Sequence, residues 1–234
     1  MKPLGIISGT VLLGGKGIFA DLREEMRNTQ FGPALVLRSA EIAFIPRHGT
    51  DPNRHILPHL INHQANLQAL KDLGVEQVLG VNSTGSLKQR LKPGMIVIPD
   101  DFLMLTACPT VIGEKAVHLT PALNAEVRRR LLEAARGCAV EAIDGGTYWQ
   151  TAGPRFETRA EIAMMSSFVD IVGMTMASEA IISQELDLAY ASICSVDNFA
   201  HGLVDRELTM EKVLWYARQN TETILRIITR YLRS

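Results

Sequence analysis

Short apolar runs alternate with stretches of helical spacing along most of the 234 residues. Leu4–Ile7, Ala34–Leu37 and Ile42–Ile45 read as early strands, and Gln77–Val81 and Met95–Pro99 as buried ones. Ile61–Leu73 repeats apolar residues at helical intervals and stops at Gly74, a good C-terminal breaker. Asn124–Arg136 is predicted helical, with Arg128, Arg129 and Arg130 on a solvated face. Thr158 and Glu161 stand at capping-box spacing before a helix through Met165. Ile171–Met174 and Tyr190–Val196 read as strands flanking a helix over Ala177–Leu186. Thr209 is placed to cap a terminal helix whose Val213, Ala217, Ile224, Ile227 and Tyr231 share one face. No Pro/Ser-rich linker or repeat divides the chain. The alternation predicts one domain over residues 1–234, an α/β three-layer α/β/α sandwich around a mixed, largely parallel twisted sheet.

Charge narrows the partners. The 24 Lys plus Arg balance 25 Asp plus Glu, a formal net charge of -1. Without a basic excess, neither nucleic acid nor a membrane surface is expected as a bulk partner. The longest apolar region, Ile171–Ile182, is broken by Thr175, Ser178 and Glu179, so no bilayer span is expected. The N-terminus enters a strand directly, with no basic segment before a long apolar core. Cys108, Cys138 and Cys194 are odd in number and far apart, and read as buried small side chains in a reducing cytosol, not as a disulfide framework or metal site.

Polar residues gather where predicted strands end, the usual position of sites in open α/β sheets. Ser8-Gly9-Thr10 follows the first strand; there a Gly admits an anion to the backbone and a hydroxyl donates, or the segment is a plain turn. Gly14-Gly15-Lys16-Gly17 lacks the spacing of a P-loop or a dinucleotide fingerprint and reads as a flexible loop. Arg47-His48 joins a planar fork of donors to a titratable ring, the alternative being a surface turn after the preceding strand. Asn82-Ser83 and Thr175 add an amide and hydroxyls beyond two further strands. Phe156 offers a face for a heterocycle or for core packing. Glu157 offers an acceptor, and the Asn198 carboxamide can donate and accept together. His55, His59 and His63 recur at four-residue spacing, but Pro58 interrupts any single helix through them, so no metal site is assigned.

Gly153-Pro154-Arg155-Phe156-Glu157-Thr158, Arg47-His48-Gly49, Val172-Gly173-Met174-Thr175 and Asp197-Asn198-Phe199-Ala200, taken together, resemble the trimeric-type purine nucleoside phosphorylases and their methylthioadenosine phosphorylase branch. The resemblance runs from Gly5 to about Val213. It implies inorganic phosphate as co-substrate, with no cofactor and no metal, held by Thr10, Arg47, His48, Asn82, Ser83 and Thr175. The family's Gly-Gly-Thr-Gly reads Ser-Gly-Thr-Val here, so Thr10 matches while its neighbours depart. The purine would lie among Phe156, Glu157, Asn198 and Ala200, with Met174 against the ribose. Relatives that prefer 6-oxopurines carry Asn at position 198, whereas the adenine branch carries Asp there and a second Asp at position 200. Met210, where relatives acting on inosine carry His, and Val213 would form a soft apolar wall at the 5′ end.

The implied reaction is phosphorolysis of a 6-oxopurine nucleoside (inosine, guanosine or 5′-methylthioinosine), with Asn198, Glu157 and His48 nearest the chemistry. An adenine-type methylthioadenosine phosphorylase is the nearest alternative. A nucleosidase and a noncatalytic purine-binding protein are the others. The resemblance further implies a cytoplasmic homotrimer or dimer of trimers, with neighbouring subunits completing each site.

Overall fold

Alternation along the central strands divides their side chains between two cores. The computed structural model describes residues 2–9, 12, 17–51, 53–114, 116–204 and 209–234, without the side chains of Met210 and Lys212. From β1 (Leu4–Ser8), β5 (Gln77–Ser86) and β11 (Ala189–Phe199), Ile7, Val78, Tyr190 and Cys194 enter one core. They meet Leu67 and Leu70 of α1 (His63–Asp72) and Met176, Ala180 and Ile182 of α4 (Met176–Glu185). The intervening Ile6, Leu79, Ala191 and Ile193 point the other way. There they pack on Val127 and Leu131 of α2 (Ala125–Gly137) and Ile224, Ile227 and Ile228 of α5 (Met210–Leu232). Helices therefore cover both faces of the sheet. Each fully buried Leu or Ile side chain contributes about 2 kcal/mol relative to exposure.

Among the described residues, all eleven strands join one sheet. Its main path runs β2 (Arg23–Thr29), β3 (Gly32–Arg38), β4 (Ile42–Pro46), β1, β5, β10 (Ile171–Gly173), β9 (Thr147–Gln150), β7 (Asp101–Met104). At β5 the sheet branches. β11 pairs in parallel along β5, β6 (Ile96–Ile98) pairs antiparallel with β11, and β8 (Ala142–Asp144) pairs parallel with β6. β10 meets β5 antiparallel at Gly85 and Ser86. The mixed sheet and its two helical layers match the expected sandwich. A smaller core lies beside the branch, where Ile162 and Met165 of α3 (Arg159–Met165) pack with Trp149, Val172 and Ala200.

Local signals hold at the caps. Asn62 and Asn124 accept from the first turns of α1 and α2, and Thr158 with Glu161 forms the full capping box of α3. The three histidines follow different paths: His59 lies in a short 3₁₀ turn, Pro58–Leu60, and α1 begins only at His63. Periodicity missed β2, β7, β8 and β9. β2 reads Arg-Glu-Glu-Met-Arg-Asn-Thr and is largely solvated; its antiparallel partner β3, not an apolar face, makes it a strand. The Arg128–Arg130 expectation requires correction. Arg129 is solvated, but Arg128 donates to the Pro99 and Ile98 carbonyls and reaches Asp144. Arg130 binds Gln77 and lies over the Tyr231 ring at 4.2 Å.

Candidate active site

The C-terminal ends of β1, β4, β5 and β11 converge with the end of β10 and with α5 between Val213 and Ile224 around a cavity of about 350 Å³. Strand ends leave backbone and side-chain polar groups unclaimed by the ladder, so a polar pocket there follows from the topology.

Arg47 closes β4 and lies on the cavity wall, but most of its donors are spoken for. Nε and Nη2 donate to the two Glu179 carboxylate oxygens at 2.7 and 3.1 Å. Nη1 donates to the Val81 carbonyl at 2.7 Å and Nη2 also to the Ile7 carbonyl at 2.9 Å. Of five guanidinium N–H groups, one is left for a ligand. The planar fork expected for an anion is thus closed on a buried carboxylate. Burial pushes the Glu179 carboxyl up, while Arg47, Tyr190 and Asn82 pull it back. The two-point contact with a guanidinium keeps the pair charged.

Asn82 also works from behind the wall. It is 1 % exposed, donates Nδ2 to Thr175 Oγ1 at 2.8 Å and accepts from Ser192 Oγ at 2.8 Å. A hydroxyl that accepts from behind has its own proton free, so Thr175 presents a donor to the cavity. Three of the backbone N–H groups at the start of α4, those of Thr175, Met176 and Ser178, are already occupied. Tyr148 Oη accepts from Thr175 N and Met176 N, and Gln150 Oε1 accepts from Ser178 N. Gly173 makes room for that tyrosine, since a Cβ there would lie 2.3 Å from its hydroxyl.

His48 faces the cavity with its ring stacked on His55 at 4.6 Å. Burial, then Arg47, pushes its pKa down to about 4, so the ring is neutral at pH 7. Nδ1 lies 2.7 Å from the Ile56 carbonyl, which can only accept, so Nδ1 carries the proton and Nε2 is an acceptor. Ser83 is exposed to the same space. Thr10, also expected here, lies outside the described residues.

Opposite these groups stand the expected base-site residues. Phe156 is 42 % exposed on the cavity wall, available for stacking. Glu157 is buried, and its Oε1 accepts from Thr151 Oγ1 at 2.8 Å, leaving Oε2 for a ligand N–H. Asn198 gives one Nδ2 proton to the Phe199 carbonyl at 2.9 Å and keeps the other, with Oδ1. Gly85 admits this amide, because a Cβ there would meet Asn198 Nδ2 at 3.1 Å. Ala200 and Met174 complete this side. Val213, Leu214 and Ala217 of α5 supply an apolar wall, while the Met210 side chain lies outside the described residues. Of the three histidines, His55 lines the cavity. His63 is buried near Arg47 and His48, and burial is the first cause of a pKa of about 3.

The profile of the phosphorylase superfamily matches residues 3–233. The chain belongs to the phosphorylase superfamily. A protein of Archaeoglobus fulgidus named probable 6-oxopurine nucleoside phosphorylase is 39% identical over 96% of this chain and 93% of its own length. A Methanocaldococcus jannaschii protein named probable S-methyl-5′-thioinosine phosphorylase is 38% identical, covering 98% of this chain and 91% of its own. Among solved structures, methylthioadenosine phosphorylase from Schistosoma mansoni in complex with adenine superposes with TM-score 0.88 at 26% identity, over 100% of this chain and 91% of that one.

Sequence reasoning gave no role in this phosphorylase to Asp197, although it quoted the segment that contains it. Asp197 is 0 % exposed beside the cavity and is the extra residue of a β-bulge, where the register jumps between Val196 and Asn198. Strict alternation would send residues 197 and 198 to opposite faces; the bulge brings both to the pocket. A carboxylate next to an amide at a strand end was the only available signal. Burial pushes the Asp197 carboxyl from 3.8 to about 6. A raised acid pKa means that the folded state holds the proton more tightly, so stability falls as pH climbs from about 4 to about 6. Above that window the penalty is complete, about 3 kcal/mol. Asp197→Asn is therefore expected to be about 1–3 kcal/mol more stable than wild type near pH 7.5 and no more stable below about pH 4. Urea unfolding at both pH values checks this, and a pH-independent difference would refute it.

Proposed function

We propose that the chain catalyses reversible phosphorolysis of 6-oxopurine nucleosides, giving the free base and α-ribose 1-phosphate or its 5-methylthio analogue. The carrying observation is one cavity that joins an oxyanion wall (Thr175, Ser83, His48 and the spare Arg47 N–H) to a heterocycle wall of Phe156, Glu157 and Asn198. A 6-oxopurine suits the second wall: ring N1–H donates to Glu157 Oε2, and the free Asn198 N–H donates towards O6 or N7.

In the reaction a phosphate oxygen forms the bond to C1′ as the C1′–N9 bond breaks, its electron pair passing to the purine. The bound phosphate stabilises positive charge on the sugar, and Asn198 with Glu157 stabilises negative charge on the base, which is then protonated. A neutral His48 Nε2 accepts a P–OH proton and so positions the nucleophile. Direct displacement inverts the anomeric centre. Positioning and electrostatics supply the acceleration without a covalent enzyme intermediate. The apolar Val213, Leu214 and Ala217 support a 5′-methylthio group at the sugar's far end.

The assembly we propose is a homotrimer or dimer of trimers of 25.8 kDa chains, supported by exposed apolar side chains at Leu60, Leu105 and Phe168. Light scattering coupled to size exclusion reads its mass. Cytoplasmic residence is proposed from the three free cysteines; of the three expected to be buried, only Cys194 is, while Cys138 is half-buried and Cys108 exposed. Among the described residues no helix is long and apolar enough to cross a membrane.

The deciding assay compares inosine, guanosine, 5′-methylthioinosine, adenosine and 5′-methylthioadenosine with and without phosphate. Base release should require phosphate and favour the 6-oxopurines by about a hundredfold or more. Equal release without phosphate would indicate a nucleosidase. Tight base binding without turnover would indicate a binding protein.

A further inference from the structure

Ser83 and Asp197 stand one behind the other on the α5 side of the sheet. Ser83 opens to the cavity; Asp197 borders the same cavity with no exposed surface. Its carboxylate accepts from Ser195 Oγ at 3.0 Å and from Asn220 Nδ2 at 3.1 Å, with the Ser83 side chain in hydrogen-bonding reach. All three partners are neutral, and no cation contributes to holding the charge. An amide of the same shape would serve these partners as well, so architecture alone does not call for an acid here.

Counting protons exposes a conflict. A serine hydroxyl has one proton. If Ser83 gives it to Asp197, an oxyanion in the cavity meets only lone pairs. If Ser83 gives it to the oxyanion, a buried carboxylate loses a donor while a second negative charge arrives nearby. A carboxylic acid removes both difficulties: it donates to Ser83 Oγ, and Ser83 donates onward to the phosphate oxygen.

We propose that Asp197 is a proton-linked positioning residue of the phosphate site, taking up one proton from solvent as the oxyanion binds and thereby turning the Ser83 hydroxyl outward as a donor. This rests on the phosphate role given to Ser83. Burial has already brought the Asp197 carboxyl up to about 6, so protonation near neutrality is within reach.

The other groups around it do not compete for this role. From β5, Thr84 Oγ1 is committed to the Ser195 carbonyl. From β11, the Cys194 thiol is pushed up to about 12 by burial and stays neutral. From α5, Thr221 Oγ1 donates to the Ala217 carbonyl. Elsewhere on the cavity wall, Arg47 is paired with Glu179, and Glu157, His48, His55 and His201 are the remaining titratable groups among the described residues. Their contribution is removed by comparing wild type with Asp197→Asn.

Sulfate is the probe, because unlike phosphate it keeps both charges across the range studied. In wild type its Kd should weaken about fivefold between pH 6 and 7, approaching tenfold over the next unit, as one coupled proton requires. Asp197→Asn, whose amide donates to Ser83 permanently, should lose that slope and bind sulfate more tightly than wild type at pH 8. Ser83→Ala, lacking the relay hydroxyl, should bind weakly with the same shallow slope. Calorimetry of the wild type near pH 7 in buffers of different ionisation enthalpy should show uptake of most of one proton. Equal slopes in wild type and Asp197→Asn, with phosphate-dependent turnover intact, sink the relay alone. Absence of both sulfate binding and phosphate dependence overturns the phosphate reading with it. Should Asp197→Asn fail to fold, wild-type calorimetry decides, and no proton uptake there refutes the proposal.

Discussion

Arg47→Met is expected to destabilise the protein by about 3–5 kcal/mol, the usual consequence of stranding one partner of a buried ion pair. Glu179 is 0 % exposed and receives two of its hydrogen bonds from Arg47; after the substitution it keeps Tyr190 Oη at 2.8 Å and the Asn82 amide. The Ile7 and Val81 carbonyls lose their donor as well, which loosens the ends of β1 and β5 against β4. Arg47→Met with Glu179→Met removes both charges and should recover a large part of the loss. Its stability should exceed that of Arg47→Met alone, although the oxyanion wall has lost a donor. Urea unfolding of the three variants reads the coupling. A loss below about 1 kcal/mol for the single substitution would show that the pair does not hold the wall together. Steady-state assays on the double variant separate the roles further, since phosphate KM should rise even where stability has returned.

Asn198→Asp should invert the choice of base. One Asn198 N–H is held by the Phe199 carbonyl, and in the proposed base site the other would donate to a 6-oxopurine; a carboxylate at the same place can only accept. Its repulsion of O6 and the lost hydrogen bond together should lower kcat/KM for inosine or methylthioinosine by about a hundredfold to ten-thousandfold. The 6-amino nucleosides should improve in relative terms, because the exocyclic amine donates to the new carboxylate. Gly85 leaves room for either side chain, so the change is chemical and not steric. The ratio of kcat/KM between methylthioinosine and methylthioadenosine is the quantity to measure. An unchanged ratio would remove Asn198 from base recognition. Ala200→Asp added to Asn198→Asp should extend the shift, as the resemblance to the adenine branch implies.

Much of this was open to reading one residue at a time. Leu4–Ile7 and Tyr190–Val196 announced buried strands because apolar and small side chains fill them without a charge, and Thr158 with Glu161 announced a helix start because the two side chains satisfy each other's backbone N–H. β2 stayed hidden because its strand character lies in backbone pairing with β3, to which its polar side chains give no clue. The resemblance brought distant segments to one cavity, but it treated every polar residue as a direct ligand. Asn82 and Arg47 show why that is too simple. Both stand at the site, yet their hydrogen bonds are largely turned inward, on Thr175 and Glu179.

By itself, then, the chain's sequence determined the alternation of strands and helices, the caps, and which residue types stand at strand ends, since these depend on neighbours a few positions apart. Tertiary structure alone decided which donors remain free. A hydroxyl, amide or guanidinium has a fixed number of protons, and only the fold reveals the partners already holding them. The bulge at Asp197 is the sharpest case: one extra residue in β11 turns two adjacent side chains towards the same pocket. Burial then gives one of them a proton affinity that no reading of its neighbours in sequence would supply.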